Sequence, residues 1–190
     1  LQTEATFVPT DLKVAFVEAI ADAGVRRIEV TSFVSPKAMP QMRDAEEVMR
    51  RVSRRAGVSY SALVPNVRGA ERALAVGTDV LRVVCSVTEA ANRRNIGRSI
   101  DESMTELTAI VELAAQAGRA VELILGMSFG CPLTGAVAPQ RVVELTGRGF
   151  EAGVREVLVA DSYGFADPES VRRLVSALRA RWPDRRIGID

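Results

Sequence analysis

The chain has 190 residues, 47% apolar and 5% aromatic, enough to bury a sizeable core and within the size of one domain. Twenty-five basic against 24 acidic side chains leave a net charge of +1, so no overall field draws nucleic acid or an anionic membrane. No apolar run approaches bilayer length and LQTEATFVPT lacks a secretory pattern, which points to a cytoplasmic protein. Cys85 and Cys131 are too few for a disulfide scaffold and read as free thiols. Histidine is absent, which removes the commonest general base and transition-metal ligand.

In chain order, helical periodicity predicts helices over about Asp11–Ala23, Arg43–Arg55, Asn66–Val76, Ile100–Ala117, Pro139–Ala152 and Pro168–Arg181. Five of them run into Gly24, Gly57, Gly77, Gly118 and Gly153, residues suited to closing a helix. Starts are marked by Thr10 after Pro9, by Asn66, by the Ser99/Glu102 capping box and by Pro139 and Pro168. Between the helices stand short apolar strands: RRIEV from Arg26, VSYSALV from Val58, DVLRVVC from Asp79, AVELILG from Ala120, REVLVA from Arg155 and RIGI from Arg186.

Near-continuous apolar strands alternating with helices predict an α/β fold with a parallel sheet. No strand is followed by the glycines of a nucleotide-binding turn. Six units of roughly 30 residues are six eighths of a (β/α)8 TIM barrel of about 250 residues. Residues 1–190 are therefore expected to form a single partial barrel domain, with one strand expected before Leu1 and one after Asp190.

Barrel chemistry sits at the carboxyl ends of the strands. The residues there are Glu29–Ser32, Pro65 and Asn66, Ser86, Met127 and Ser128 before GCP, Asp161 with Ser162, and Asp190. Glu29 and Asp161 would face one cavity in a closed barrel, either as tuned carboxylates or as strand-end hydrogen-bonding groups. ANRRNIGRS (Ala91–Ser99) is read as a loop near a helix N-terminus, with Arg93, Arg94 and Arg98 suited either to phosphate or to solvent. SFVSPKAMPQM (Ser32–Met42) is read as a long ordered loop over the barrel mouth. Cys131 reads first as a small buried hydrophobe and second as a reactive thiol.

LQTE, IEVTSFVSPKAMPQM, LVPN, RRNIGRSIDES, FGCPLTG and DSYGFADP together resemble the 3-hydroxy-3-methylglutaryl-CoA lyase family, in family order and across nearly the whole chain. SFVSPK with PQM is the most specific segment, because it is closer to this lyase than to the isopropylmalate and homocitrate synthases or the acyl-ketone aldolases.

The resemblance implies a barrel enzyme that uses magnesium or manganese to cleave 3-hydroxy-3-methylglutaryl-CoA to acetyl-CoA and acetoacetate. Leucine breakdown is the expected setting. By the same resemblance Glu29 and Asp161 belong to the reacting shell, and Gln2, Ser32, Asn95 and Ser162 contact substrate or its thioester arm. Arg93 and Arg94 would approach the phosphates of coenzyme A.

It also places the catalytic arginine and first metal aspartate ahead of Leu1, and the final metal asparagine and catalytic cysteine beyond Asp190, so Cys131 is not that cysteine. An H-x-H metal pair is expected at the end of RIGI, where either Asp190 replaces its first member or the pair follows. Asp190 is thus the one candidate metal ligand within the chain. Ile124 stands where typical members have tyrosine, and Ser162 where they have threonine.

Two alternatives stay open: a related lyase or aldolase acting on another 3-hydroxy-acyl-CoA or a 2-oxo acid, and a noncatalytic barrel piece. On the second reading the 190 residues alone are inactive and their unpaired barrel edges favour association, as in a homodimer.

Overall fold

In the computed structural model, which describes residues Leu1–Asp190, strands and helices alternate, except that two helices stand between the third and fourth strands and a 3-10 turn precedes the helix between the first and second. The elements are α1 (Thr10–Asp22), β1 (Arg27–Ser32), a 3-10 turn (Pro40–Met42), α2 (Ala45–Arg51), β2 (Ser59–Leu63), α3 (Val67–Ala75) and β3 (Val80–Ser86). There follow α4 (Glu89–Ile96), α5 (Ile100–Gln116), β4 (Ala120–Gly126), α6 (Pro139–Ala152), β5 (Glu156–Val159), α7 (Pro168–Arg181) and β6 (Arg186–Ile189).

The strands pair in chain order, β1 to β6, and the pairs β1–β2, β2–β3, β4–β5 and β5–β6 are parallel. A doubly wound sheet would reverse its order at a switch point. The unbroken order with helical crossovers is instead the winding of part of a (β/α)8 barrel.

The chain divides into two compact units, residues 1–82 with 113–120 and residues 83–112 with 121–190. In the first, Tyr60, Ala62 and Leu81 are buried on one face of β2 and β3, as are Val14, Val17, Val48, Met49, Ala70 and Ala73 on the helices. In the second, Leu123, Leu125, Val157 and Val159 are fully buried. Gly149 lets α6 lie close on β4, since a Cβ there would come within 2.7 Å of Leu123 Cδ2.

Most punctuation in the sequence acts as expected. Asn66 Oδ1 accepts from Gly69 N at 2.8 Å, Ser99 and Glu102 form reciprocal bonds of 2.7 and 3.1 Å, and Pro139 and Pro168 open their helices. Three details differ. Pro9 holds the cap position of α1, so Thr10 is free to donate to Asp44 Oδ2 at 2.8 Å. The helix predicted over Arg43–Arg55 is α2 alone, because Val52 turns to extended backbone and ends it before Gly57. ANRRNIGRS is mostly helix: Thr88 caps α4, Glu89 and Arg93 pair at i,i+4, and Gly97 closes it at φ 72°.

One buried ion pair ties α1 to the start of α2. Lys13 Nζ donates to Asp44 Oδ1 at 2.6 Å and to the Gln41 carbonyl at 2.5 Å, with both side chains under a tenth exposed. The Phe7 ring covers the ammonium at 4.3 Å. Removing one partner of such a pair strands the other charge in a dry site. K13A is therefore expected to destabilise the protein by about 3–5 kcal/mol, and urea denaturation of the variant beside the parent measures it.

Candidate active site

The first unit gathers its polar groups through an irregularity in β1. Glu29 lies opposite Ser61 of β2, yet the next paired residue, Thr31, lies opposite Ala62, so Val30 is an extra residue. In a regular strand, residues three apart point to opposite faces. The bulge restores them to one side: Glu29 and Ser32 pair with Ser61 and Leu63, which share a face of β2. Arg82 of β3, opposite Leu63, joins the same face and approaches Glu29 Oε2 at 3.3 Å.

Glu29, Ser32 and Leu63 border a cavity of about 440 Å³ whose lining also includes Gln2 and Thr31. Three of the sequence-predicted positions therefore meet there. Ser32 is 3% exposed and its hydroxyl has no hydrogen-bond partner. Buried hydroxyls are almost always satisfied, so an orphan at a cavity wall is a natural anchor for a bound polar group. Thr146 on α6 is the other buried hydroxyl without a partner. Arg82 is absent from the sequence reading, although a charged residue inside the apolar run VLRVVC was a signal for it.

In the second unit, the inner side chains form layers. Glu122, Glu156 and Arg186 are in register at the strand starts, and Ile124, Leu158 and Gly188 come next. Asp190 follows directly after β6. Both glutamates are buried and neutralised, Glu122 by Arg155 and Glu156 by Arg186 at 3.2 Å. Ile124, Leu158 and Ala160 form an apolar cluster with Val84.

Asp161 follows β5, and its two carboxylate oxygens accept from Phe165 N and Ala166 N, each at 2.9 Å. Its carboxylate thus closes the DSYGFA turn, the strand-end role left open by the sequence. Asp161 N donates to the Asp190 carbonyl at 3.2 Å. Ser162 Oγ accepts from Met127 N at 3.1 Å, and Met127 holds φ 63°, a strained value for a side chain of this type. Ser162 therefore fixes the backbone just past β4.

Arg93, Arg94 and Asn95 lie exposed on the last turns of α4. They stand at the carbonyl end of that helix, which favours cations, rather than in a loop. Asn92, the residue just before them and fully buried, accepts from Ser86 N at 2.9 Å and donates to Arg98 O, Ser99 O and Ser103 Oγ. It binds the end of β3 to the α4–α5 junction, a role that nothing in its spacing reveals.

Both cysteines are free and buried. Burial pushes the Cys85 thiol up to about 12. At Cys131 burial also pushes upward, but bonds from the Thr88 and Thr134 side chains and the Leu133 and Thr134 backbone outweigh it and bring the thiol down to about 7.

Residues 1–189 match the family described as HMGL-like. The chain belongs to that family. This HMGL-like chain is 37% identical to a hydroxymethylglutaryl-CoA lyase of Bacillus subtilis over its whole length, which spans 63% of that enzyme. Against the crystal structure of a B. subtilis HMG-CoA lyase, the TM-score is 0.96 at 37% identity, covering 100% of this chain and 63% of the other. An HMG-CoA lyase of Acinetobacter baumannii, solved with coenzyme A and 3-methylmalate, gives 0.94 at 34% identity, covering 100% and 62%.

No helix of this HMGL-like chain is long and apolar enough to cross a membrane. Replacing Asn92 by alanine leaves the Ser86 amide without its acceptor, and is expected to cost about 1–3 kcal/mol. Urea denaturation followed by circular dichroism tests this, with N92D expected to lose at least as much, because it keeps the acceptor but sets a buried carboxylate oxygen against the Arg98 and Ser99 carbonyls.

Proposed function

We propose that these residues form the substrate-facing part of a divalent-metal-dependent lyase that cleaves 3-hydroxy-3-methylglutaryl-CoA to acetyl-CoA and acetoacetate. The observation that carries this reading is the cavity shared by Gln2, Glu29 and Ser32, with its unpartnered Ser32 hydroxyl, in a chain of the HMGL-like family.

The reaction removes the proton of the tertiary hydroxyl and breaks the bond between C2 and C3. The bonding pair passes to the thioester enolate of acetyl-CoA, the hydroxyl carbon becomes the ketone of acetoacetate, and the enolate is then protonated. Glu29 is assigned to the reacting shell, with Arg82 as a positioning residue that holds its carboxylate. Gln2 and Ser32 are assigned to hydrogen bonds with the acyl group, Ser162 and Asn95 to substrate or the thioester arm, and Asp161 to the reacting shell with Glu29. Arg93 and Arg94 are assigned to the phosphates of coenzyme A, for which exposed guanidiniums are suited.

Magnesium or manganese is the metal this reading calls for, yet no three acidic or cysteine side chains of residues 1–190 cluster as a metal would require. Glu29 is engaged by Arg82 and Asp161 by two amides, and Asp190 stands as a single candidate ligand. These residues do not make up an ion site by themselves, and no step is assigned to the ion. Residues 1–190 are read as one barrel domain of a cytoplasmic enzyme that assembles as a homodimer. A second reading, cleavage of a different 3-hydroxy-acyl-CoA, is favoured by the apolar inner cluster around Ile124.

The decisive assay is acetoacetate release from 3-hydroxy-3-methylglutaryl-CoA by the full-length gene product, with magnesium or manganese and with chelator. Activity abolished by chelator is expected; inactivity with metal present overturns the substrate assignment. In the same enzyme E29Q is expected to lower kcat by about a hundredfold or more. R93Q/R94Q is expected to raise KM for the thioester while leaving cleavage of a free 2-oxo acid nearly unchanged, and equal loss on both substrates sinks the CoA assignment.

A further inference from the structure

A basic run, ARWPDRR (Ala180–Arg186), ends α7 and turns into β6. In the second unit this turn closes one side of a groove of about 620 Å³ whose other side is α6. The turn precedes β6, so it lies at the strand starts, whereas Asp161 and Ser162 follow the carboxyl end of β5. Gly147 forms part of the groove's wall and admits Trp182, since a Cβ there would stand 3.2 Å from Trp182 Cζ2. Phe150 meets the same indole edge-on at 5.5 Å.

Two guanidiniums lie on these rings: Arg181 over Trp182 at 5.3 Å and Arg185 over Phe150 at 5.2 Å. Neither has a carboxylate partner, whereas Arg141 and Arg148 nearby are paired with Glu144 and Asp101, each at 2.8 Å. A guanidinium stacked on an aromatic face is held in a fixed plane and loses water from one side, while its in-plane N–H groups stay free to donate. Two such forks in one concave surface are the donor set that a phosphoryl group accepts from bidentately. Base stacking is disfavoured, because Arg181 and Gly147 already crowd the Trp182 ring.

We infer that the groove between α6 and the α7–β6 turn binds a small phosphoryl oxyanion through Arg181 and Arg185. Glu144, which also lines the groove, is already engaged by Arg141, so it offers little opposition to an incoming anion. Glu151 lines the groove as well and favours a ligand held at the arginine end rather than along its whole length.

The test is titration of the full chain with inorganic pyrophosphate, followed by emission of Trp182, the only tryptophan of the 190 residues. A saturable change is expected at constant ionic strength, and R181Q/R185Q should weaken the apparent affinity about tenfold or more. Calorimetry on R185E, an exposed single change that keeps Arg181 on the indole, is expected to detect no binding. ADP binding as tightly as pyrophosphate, or more tightly, supports the site and identifies the ligand as a phosphate that also carries a nucleoside. Pyrophosphate preferred over ADP supports it and identifies a bare phosphoryl group. A response matched by sodium chloride at equal ionic strength, or undiminished in both variants, overturns the inference.

Discussion

Because Val30 has no partner on β2, Glu29 and Ser32 project to the same side of β1, and the polar chemistry of the first unit depends on that extra residue. Without the bulge, the strand's period of two would turn one of them toward the packed helices. Arg82 then meets Glu29 across two strands, and the Ser32 hydroxyl is left buried at the cavity wall. A polar group so placed costs stability unless something bound satisfies it, which is the kind of cost that binding sites carry.

The second unit handles buried charge differently. Glu122 and Glu156 lie side by side at the strand starts, an arrangement that would be strongly repulsive if both were charged and unpaired. Arg155 and Arg186 neutralise them, and the apolar cluster of Ile124, Leu158 and Ala160 comes next along the strands. Polar groups return only at the carboxyl ends, where Asp161 closes a turn and Ser162 fixes the strained Met127. The layering separates charges that hold the fold from groups open to a ligand.

Family membership and geometry carry different parts of the functional reading. Relatives named as hydroxymethylglutaryl-CoA lyases cover the chain from end to end, while the chain spans 63% of the B. subtilis enzyme. The geometry explains which of its side chains are free to act. Ser32 has hydrogen-bonding capacity to spare, Glu29 is held by an arginine, and Asp161 spends both oxygens on the backbone of its own turn.

Local pattern was enough to read the order of elements, five of the helices closely, the strands to within a residue or two, and the barrel winding. These follow from local periodicity and from caps such as Asn66 and the Ser99/Glu102 pair, which act within one turn of chain. α4 was legible too, since Thr88, the Glu89/Arg93 pair and Gly97 are ordinary start and stop signals, but the asparagines and arginines between them suggested a loop. The bulge at Val30, the Glu29–Arg82 pair and the buried role of Asn92 emerge only once the strands and helices are packed together. A bulge is a mismatch between two strands, and an ion pair joins residues 53 apart, so neither leaves a trace in the local pattern of one segment. The shared cavity of Gln2, Glu29 and Ser32 arises in the same way, because which side chains meet depends on register and on close packing rather than on spacing along the chain.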